Sequence, residues 1–191
     1  MDRRLEGNQL ASQRMTDARK YASIAANFPF VRAVLSGSLS KHVMKPDSDI
    51  DFFIITAPEK LWVCRALLTA YKKLLLGNSH RNFCLNYFID SNNLEIPDKN
   101  IFTATEIVFL LPMYNYSLYE KFMAKNKWVD TEFPNFKLRP QEFAIQPIPS
   151  KKIGEYIFDN RFGTFIDQLS DTETYFVFLR SISLRLSSFF F

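Results

Sequence analysis

Hydrophobic positions along this chain fall into two alternating periods. Leu10, Met15, Ala18, Ala22 and Ile24 to Ala26 recur at helical spacing, which predicts a helix over residues 9–27, ended by Pro29. Val31 to Leu35 is a short apolar run and reads as a strand. Asp49 to Thr56 alternates polar and apolar and reads as a second strand. Pro58 and Glu59 open a helix to Leu76, with Leu61, Cys64, Leu67, Leu68, Tyr71 and Leu75 on its apolar face and Gly77 as its stop. Phe83 to Asp90, rich in aromatic and branched residues, is the third strand.

Beyond it the pattern turns helical. Thr103 with Glu106 reads as a capping box opening a short helix that Pro112 ends, and Ser117 with Glu120 as a second one opening a helix to about Lys127. Residues 134–149 hold four of the nine prolines, which predicts a linker or an extended wrapping segment. Residues 151–188 read as mainly helical. The order α-β-loop-β-α-β followed by helices predicts an α+β fold. We divide the chain into 1–130 and a Pro-rich connection with a helical C-terminal segment, 131–191.

Composition narrows the class. At 191 residues, with 47% hydrophobic and 23% charged positions, the chain is long enough for a core without disulfide or metal staples. The net charge of +4 is spread thinly, so it does not argue for a polyanionic partner. Cys64 and Cys84, with no secretory leader ahead of them, read as reduced thiols in a cytoplasmic protein. No run is long enough to span a bilayer. Only five glycines are present, so each one's surroundings matter, whereas Phe is abundant, with 11 of 20 beyond residue 130.

The chemistry concentrates at Ser36-Gly37-Ser38 and Asp47-Ser48-Asp49-Ile50-Asp51. In a strand, residues i and i+2 share a face about 7 Å apart, so Asp49 and Asp51 project together while Ile50, Phe52 and Ile54 face a core. Two neighbouring carboxylates suit a hard divalent cation such as Mg²⁺, which takes further ligands from phosphates. Gly37 lets a ligand approach the backbone, Ser38 offers a hydroxyl and an N–H to a phosphate oxygen, and Lys41 adds a cation. Together these are parts of a phosphoryl or nucleotidyl transfer site. Walker A, nucleophile-elbow and zinc-ligand spacings are absent from the sequence.

Gly37-Ser38, ten intervening residues, then Asp49-Ile50-Asp51 resembles the signature of the DNA polymerase β-type nucleotidyltransferase superfamily. Residues 37–52 are similar to its small prokaryotic domains. The resemblance implies a small mixed β-sheet backed by helices. It implies Mg²⁺, with Mn²⁺ as a substitute, held by Asp49 and Asp51, and an NTP whose phosphates meet Gly37, Ser38 and Lys41. It also implies a third carboxylate on a later strand that activates the attacking hydroxyl. That position carries Asn86, an amide that is no base. Asp90 shares its face four residues further on. A second departure is His42, where close relatives often have glycine.

Two functions from different classes follow. The first is a Mg²⁺-dependent nucleotidyltransferase that moves an NMP from an NTP to a hydroxyl of a small molecule, protein or RNA end. The second is a catalytically degenerate nucleotide-binding or antitoxin-like regulatory module of the same fold. A nucleic-acid end-binding protein is a third, weaker reading. The sequence does not fix the acceptor, the preferred base or the oligomeric state.

Overall fold

The computed structural model describes residues 2–37, 49–77, 82–141 and 144–159. Ser38, Lys41 and His42 lie outside them. Four strands form one mixed sheet: β1 (Val31–Ser36), β2 (Asp51–Thr56), β3 (Cys84–Asp90) and β4 (Leu111–Tyr114), in the order β3-β2-β1-β4. The hairpin partners β1 and β2 are antiparallel, as are β1 and β4. The β2–β3 pair is parallel and is joined by helix α2 (Leu61–Leu75), as a parallel crossover requires.

The alternation of β2 sorts its side chains into two layers. Phe52 and Ile54, with Ile50 just before the strand, are fully buried against α1 (Asp2–Ala26) and α2. Helix α1 approaches through Ala18, Ala22, Ala25 and Ala26, whose small side chains let it lie close to the sheet. On the opposite face, Leu35 and Ile55 pack with α3 (Ile101–Val108) and α4 (Tyr116–Lys125), where Tyr119 and Phe122 are fully buried. The short α5 (Val129–Glu132) closes this layer. The α+β class and the small helix-backed mixed sheet thus stand as expected. No helix among the described residues is long and apolar enough to cross a membrane.

Several local expectations are corrected. Helix α1 begins at Asp2 rather than near residue 9. Pro112 does not merely end a helix but lies inside β4, a strand the sequence pattern did not suggest. Proline is tolerated there because β4 is an edge strand. The cap of α3 is Asn100, whose side chain accepts from the N–H groups of Phe102 and Thr103, so no Thr103–Glu106 capping box forms. Asn115 caps α4 in place of Ser117, in the left-handed conformation (φ 61°) that Asn tolerates well. On α2, Leu75 is exposed, while Val63 and Lys72 are buried.

The Pro-rich stretch runs against the body rather than away from it. The Arg139 N–H donates to the Tyr119 hydroxyl, and that of Ile148 to Asn27 Oδ1. It leads to α6 (Ser150–Phe158), which docks at the Val31 end of β1. Within the range read as mainly helical, helix is seen to Phe158; residues 160–191 lie outside the described residues.

Candidate active site

At the Ser36 end of β1, the chain continues into Gly37, whose N–H donates to the carbonyl of Asp51 at 3.3 Å. This rung joins the glycine of one strand end to the aspartate of the next. Asp51 has the parity of Phe53 and Ile55, so its side chain leaves the sheet on the face that α3 and α4 cover. Asp49 and Asp51 are both half-buried. Ile50, between them, is fully buried on the opposite face. Burying that side chain, worth about 2 kcal/mol, anchors the two aspartates to one side.

The parallel register sets Cys84 of β3 level with Asp51. Burial pushes the Cys84 thiol up to about 12, helped by the Asp51 charge, by the hydrogen bond the thiol donates to Asp51, and by the Asp49 charge; Lys72 opposes them. One thiol thus senses both carboxylates and the buried Lys72, so these groups gather at one end of the sheet. Two convergent carboxylates are the donor set that a Mg²⁺ ion with water and phosphate ligands would use. Among the described residues, no three His, Cys, Asp or Glu side chains are grouped to hold a metal.

Asn86 lies two residues beyond Cys84, where the register slips from Phe52↔Leu85 to Phe53↔Tyr87. It is the extra residue of a bulge, a device that re-aims a side chain. Asp90 is not brought to this end. It pairs with Thr56, at the other end of β2 from Asp51. Its carboxylate accepts from the N–H groups of Glu59 and Asn92 and fixes the start of the β2–α2 connection.

Gly37 needs no unusual backbone conformation; among the described glycines, only Gly77 has positive φ. A methyl group built on Gly37 would lie 3.9 Å from Leu110 Cδ2 and 4.0 Å from Glu106 Oε2, in ordinary contact. Gly37 is buried, at a strand end that faces Leu110 and a carboxylate of α3. Sequence reasoning passed over Glu106 because it was assigned to a capping box. It also passed over Cys84, which only the parallel register brings beside Asp51, and Lys72, whose charge gave no sign of burial.

Residues 22–103 match the family model described as a nucleotidyltransferase domain. No curated protein and no solved structure gives a significant match. The matched segment contains Gly37, Asp49, Asp51, Cys84, Asn86 and Asp90, and it ends before Glu106. That segment, set on a small mixed sheet backed by helices, is similar to a nucleotidyltransferase domain and consistent with the DNA polymerase β type.

Proposed function

We propose that this protein is a Mg²⁺-dependent nucleotidyltransferase, moving an NMP from an NTP to an acceptor hydroxyl with release of pyrophosphate. The observation that carries the reading is the convergence of Asp49 and Asp51 beside Gly37, inside the segment that matches the domain. Asp49 and Asp51 would hold the cation, with Mn²⁺ as a substitute. A cation there neutralises triphosphate charge, the largest electrostatic obstacle to nucleotidyl transfer. Gly37, Ser38 and Lys41 would receive the phosphates. Cys84 holds the Asp51 carboxylate in place by its donated hydrogen bond. The two free cysteines favour a reducing, cytoplasmic setting.

The test is incubation with each α-labelled NTP, Mg²⁺ and a cell extract. We expect label to pass to a small molecule, a protein or an RNA end, and the transfer to disappear with EDTA or in Asp49→Ala. Unchanged transfer in Asp49→Ala would remove the metal assignment.

The second reading, a nucleotide-binding or antitoxin-like regulatory module without turnover, has one observation in its favour. The β3 position expected to carry a carboxylate is Asn86, and it sits in a bulge. Calorimetry separates the two: Mg·NTP binding without pyrophosphate release supports the regulatory module.

A further inference from the structure

Away from the acidic end, an open cleft of about 450 Å³ lies between β1, β4 and the start of α6. Two irregularities of the sheet border it. The β1–β2 register passes from Val31↔Thr56 to Ala33↔Ile55, so Arg32 is the extra residue of a bulge. The β1–β4 register slips between Val34↔Tyr114 and Leu35↔Pro112, just before Tyr114. Bulges re-aim side chains, and Arg32 and Tyr114 both line the cleft. Helix α6 adds Lys151, Lys152 and Glu155.

Charge in the cleft does not balance. Arg32, Lys151 and Lys152 face a single carboxylate, Glu155, so two positive charges are left over at neutral pH. The crowding is felt at Lys151. After burial, Arg32 is the next cause that lowers its ammonium, and Glu155 offsets this only in part.

Part of this set is committed to the fold. Glu155 Oε1 accepts from the Phe30 N–H and from Arg32 Nη1. Lys151 donates to the Ala26 and Val31 carbonyls and lies 5.1 Å from the centre of the Tyr114 ring. The rest is open to a ligand. Among the described residues, the Nε–Nη2 edge of Arg32, the Lys152 ammonium and the Tyr114 hydroxyl have no hydrogen-bond partner. Burial raises the Tyr114 hydroxyl above its usual range, which keeps it a donor at neutral pH.

We propose that this cleft binds a small phosphate monoester, its phosphate held by Arg32, Lys152 and the Tyr114 hydroxyl. A phosphate dianion matches the two uncompensated charges, whereas one carboxylate matches half of them. Its terminal oxygens suit one guanidinium edge, one ammonium and one hydroxyl. The volume is that of small-molecule sites, about 300–1,000 Å³, and exceeds what a bare ion needs. Pro147 and Pro149 supply an apolar wall for the organic part. The cleft sits toward the Val31 end of β1, away from Gly37, so its ligand is distinct from the NTP of the proposed transfer. The proposal stands without that reading.

The test is calorimetry on the full chain in EDTA, which keeps metal-dependent NTP binding out of the measurement. The probes are inorganic phosphate, 5′-AMP and adenosine at matched ionic strength. We expect 5′-AMP to bind more tightly than phosphate, and adenosine to give no heat. Lys152→Ala should weaken 5′-AMP about 10-fold and Tyr114→Phe about 5-fold, the scale of one charge-assisted and one neutral hydrogen bond. Both variants keep the Lys151 and Glu155 contacts of α6, so the melting temperature without ligand should hold. No binding of 5′-AMP at millimolar concentration overturns the proposal, and so does binding that neither variant weakens. Adenosine bound as tightly as 5′-AMP overturns the phosphate role. A 5′-phosphorylated RNA oligomer bound more than about 10-fold tighter than 5′-AMP, with affinity falling steeply with salt, puts a nucleic acid in the cleft and overturns the small ligand.

Discussion

The two ends of the sheet handle charge in opposite ways. At the Val31 end, opposite charges close on one another. Lys151 is buried and donates to the carbonyls of Ala26 and Val31, at 2.9 Å and 2.5 Å. Arg32 pairs with Glu155, which also accepts the Phe30 N–H. Burial raises the Glu155 carboxyl, but Arg32, the Phe30 N–H and Lys151 outweigh it and hold it below the usual range. At the Ser36 end, neighbouring carboxylates gather instead: Asp49 and Asp51 both act on the Cys84 thiol, where Lys72 opposes them, and a Glu106 oxygen lies near Gly37. The first arrangement fastens α6 to the sheet. The second places two carboxylates, with Lys72 near them, at the strand ends that carry the proposed metal site. The difference teaches that a charge fixed by hydrogen bonds to one helix serves the fold, whereas neighbouring carboxylates are where the proposed chemistry is to be tested.

The sharpest way to break this comparison is at the carboxylates. Asp51→Ala should lower nucleotide transfer by on the order of 10³-fold, about 4 kcal/mol in barrier, with thermal stability unchanged or raised. Transfer that survives would mean that the acidic end is ordinary surface.

Lys151 should show the reverse profile, with stability affected and transfer retained. Lys151→Met leaves the Ala26 and Val31 carbonyls without their donor and should cost about 2 kcal/mol in denaturant unfolding. The wild type adds a pH signature. Burial first, then Arg32, lowers the Lys151 ammonium to about 8, against the opposing charges of Glu155 and Cys64. The unfolded lysine keeps its proton to about 10.4, so between those values the unfolded state binds more protons and stability rises with pH. The rise should approach about 3 kcal/mol and vanish in Lys151→Met. A flat profile in the wild type would show that α6 does not bury this charge in solution.

Gly37→Ala should leave the melting temperature unchanged, since a methyl meets only ordinary contacts. It should weaken Mg·NTP binding about 10-fold, near 1.4 kcal/mol, by placing a methyl where the proposed phosphates meet the strand end. Equal binding would move the phosphates elsewhere. Smallest is Asp90→Ala, which removes two hydrogen bonds at the β2–α2 connection and should cost about 1 kcal/mol in unfolding free energy.

How far these ends were legible in the sequence depends on the range of the forces involved. Strand β2 was readable because Ile50, Phe52 and Ile54 alternate with Asp49 and Asp51, and period two is local information. The paired aspartates therefore appeared together at once. Strand β4 was hidden because Pro112 signals a break, and only its edge position makes that signal misleading. The caps were misread because Asn100 and Asn115 open their helices two or three residues earlier, which puts Thr103 and Ser117 inside the first turn. Cys84, Lys72 and Glu106 reach the acidic end, and Lys151 the other, through contacts between distant elements, which local periodicity does not encode.

Strand β4 has a consequence of another kind. An edge strand is a template on which a neighbouring molecule can add its own strand. Here that edge is four residues long and carries Pro112, which has no N–H to offer a newcomer. Uncontrolled sheet extension is discouraged on that flank. The longer β3 edge is the flank along which self-association by strand addition would proceed if this protein were concentrated or partly unfolded.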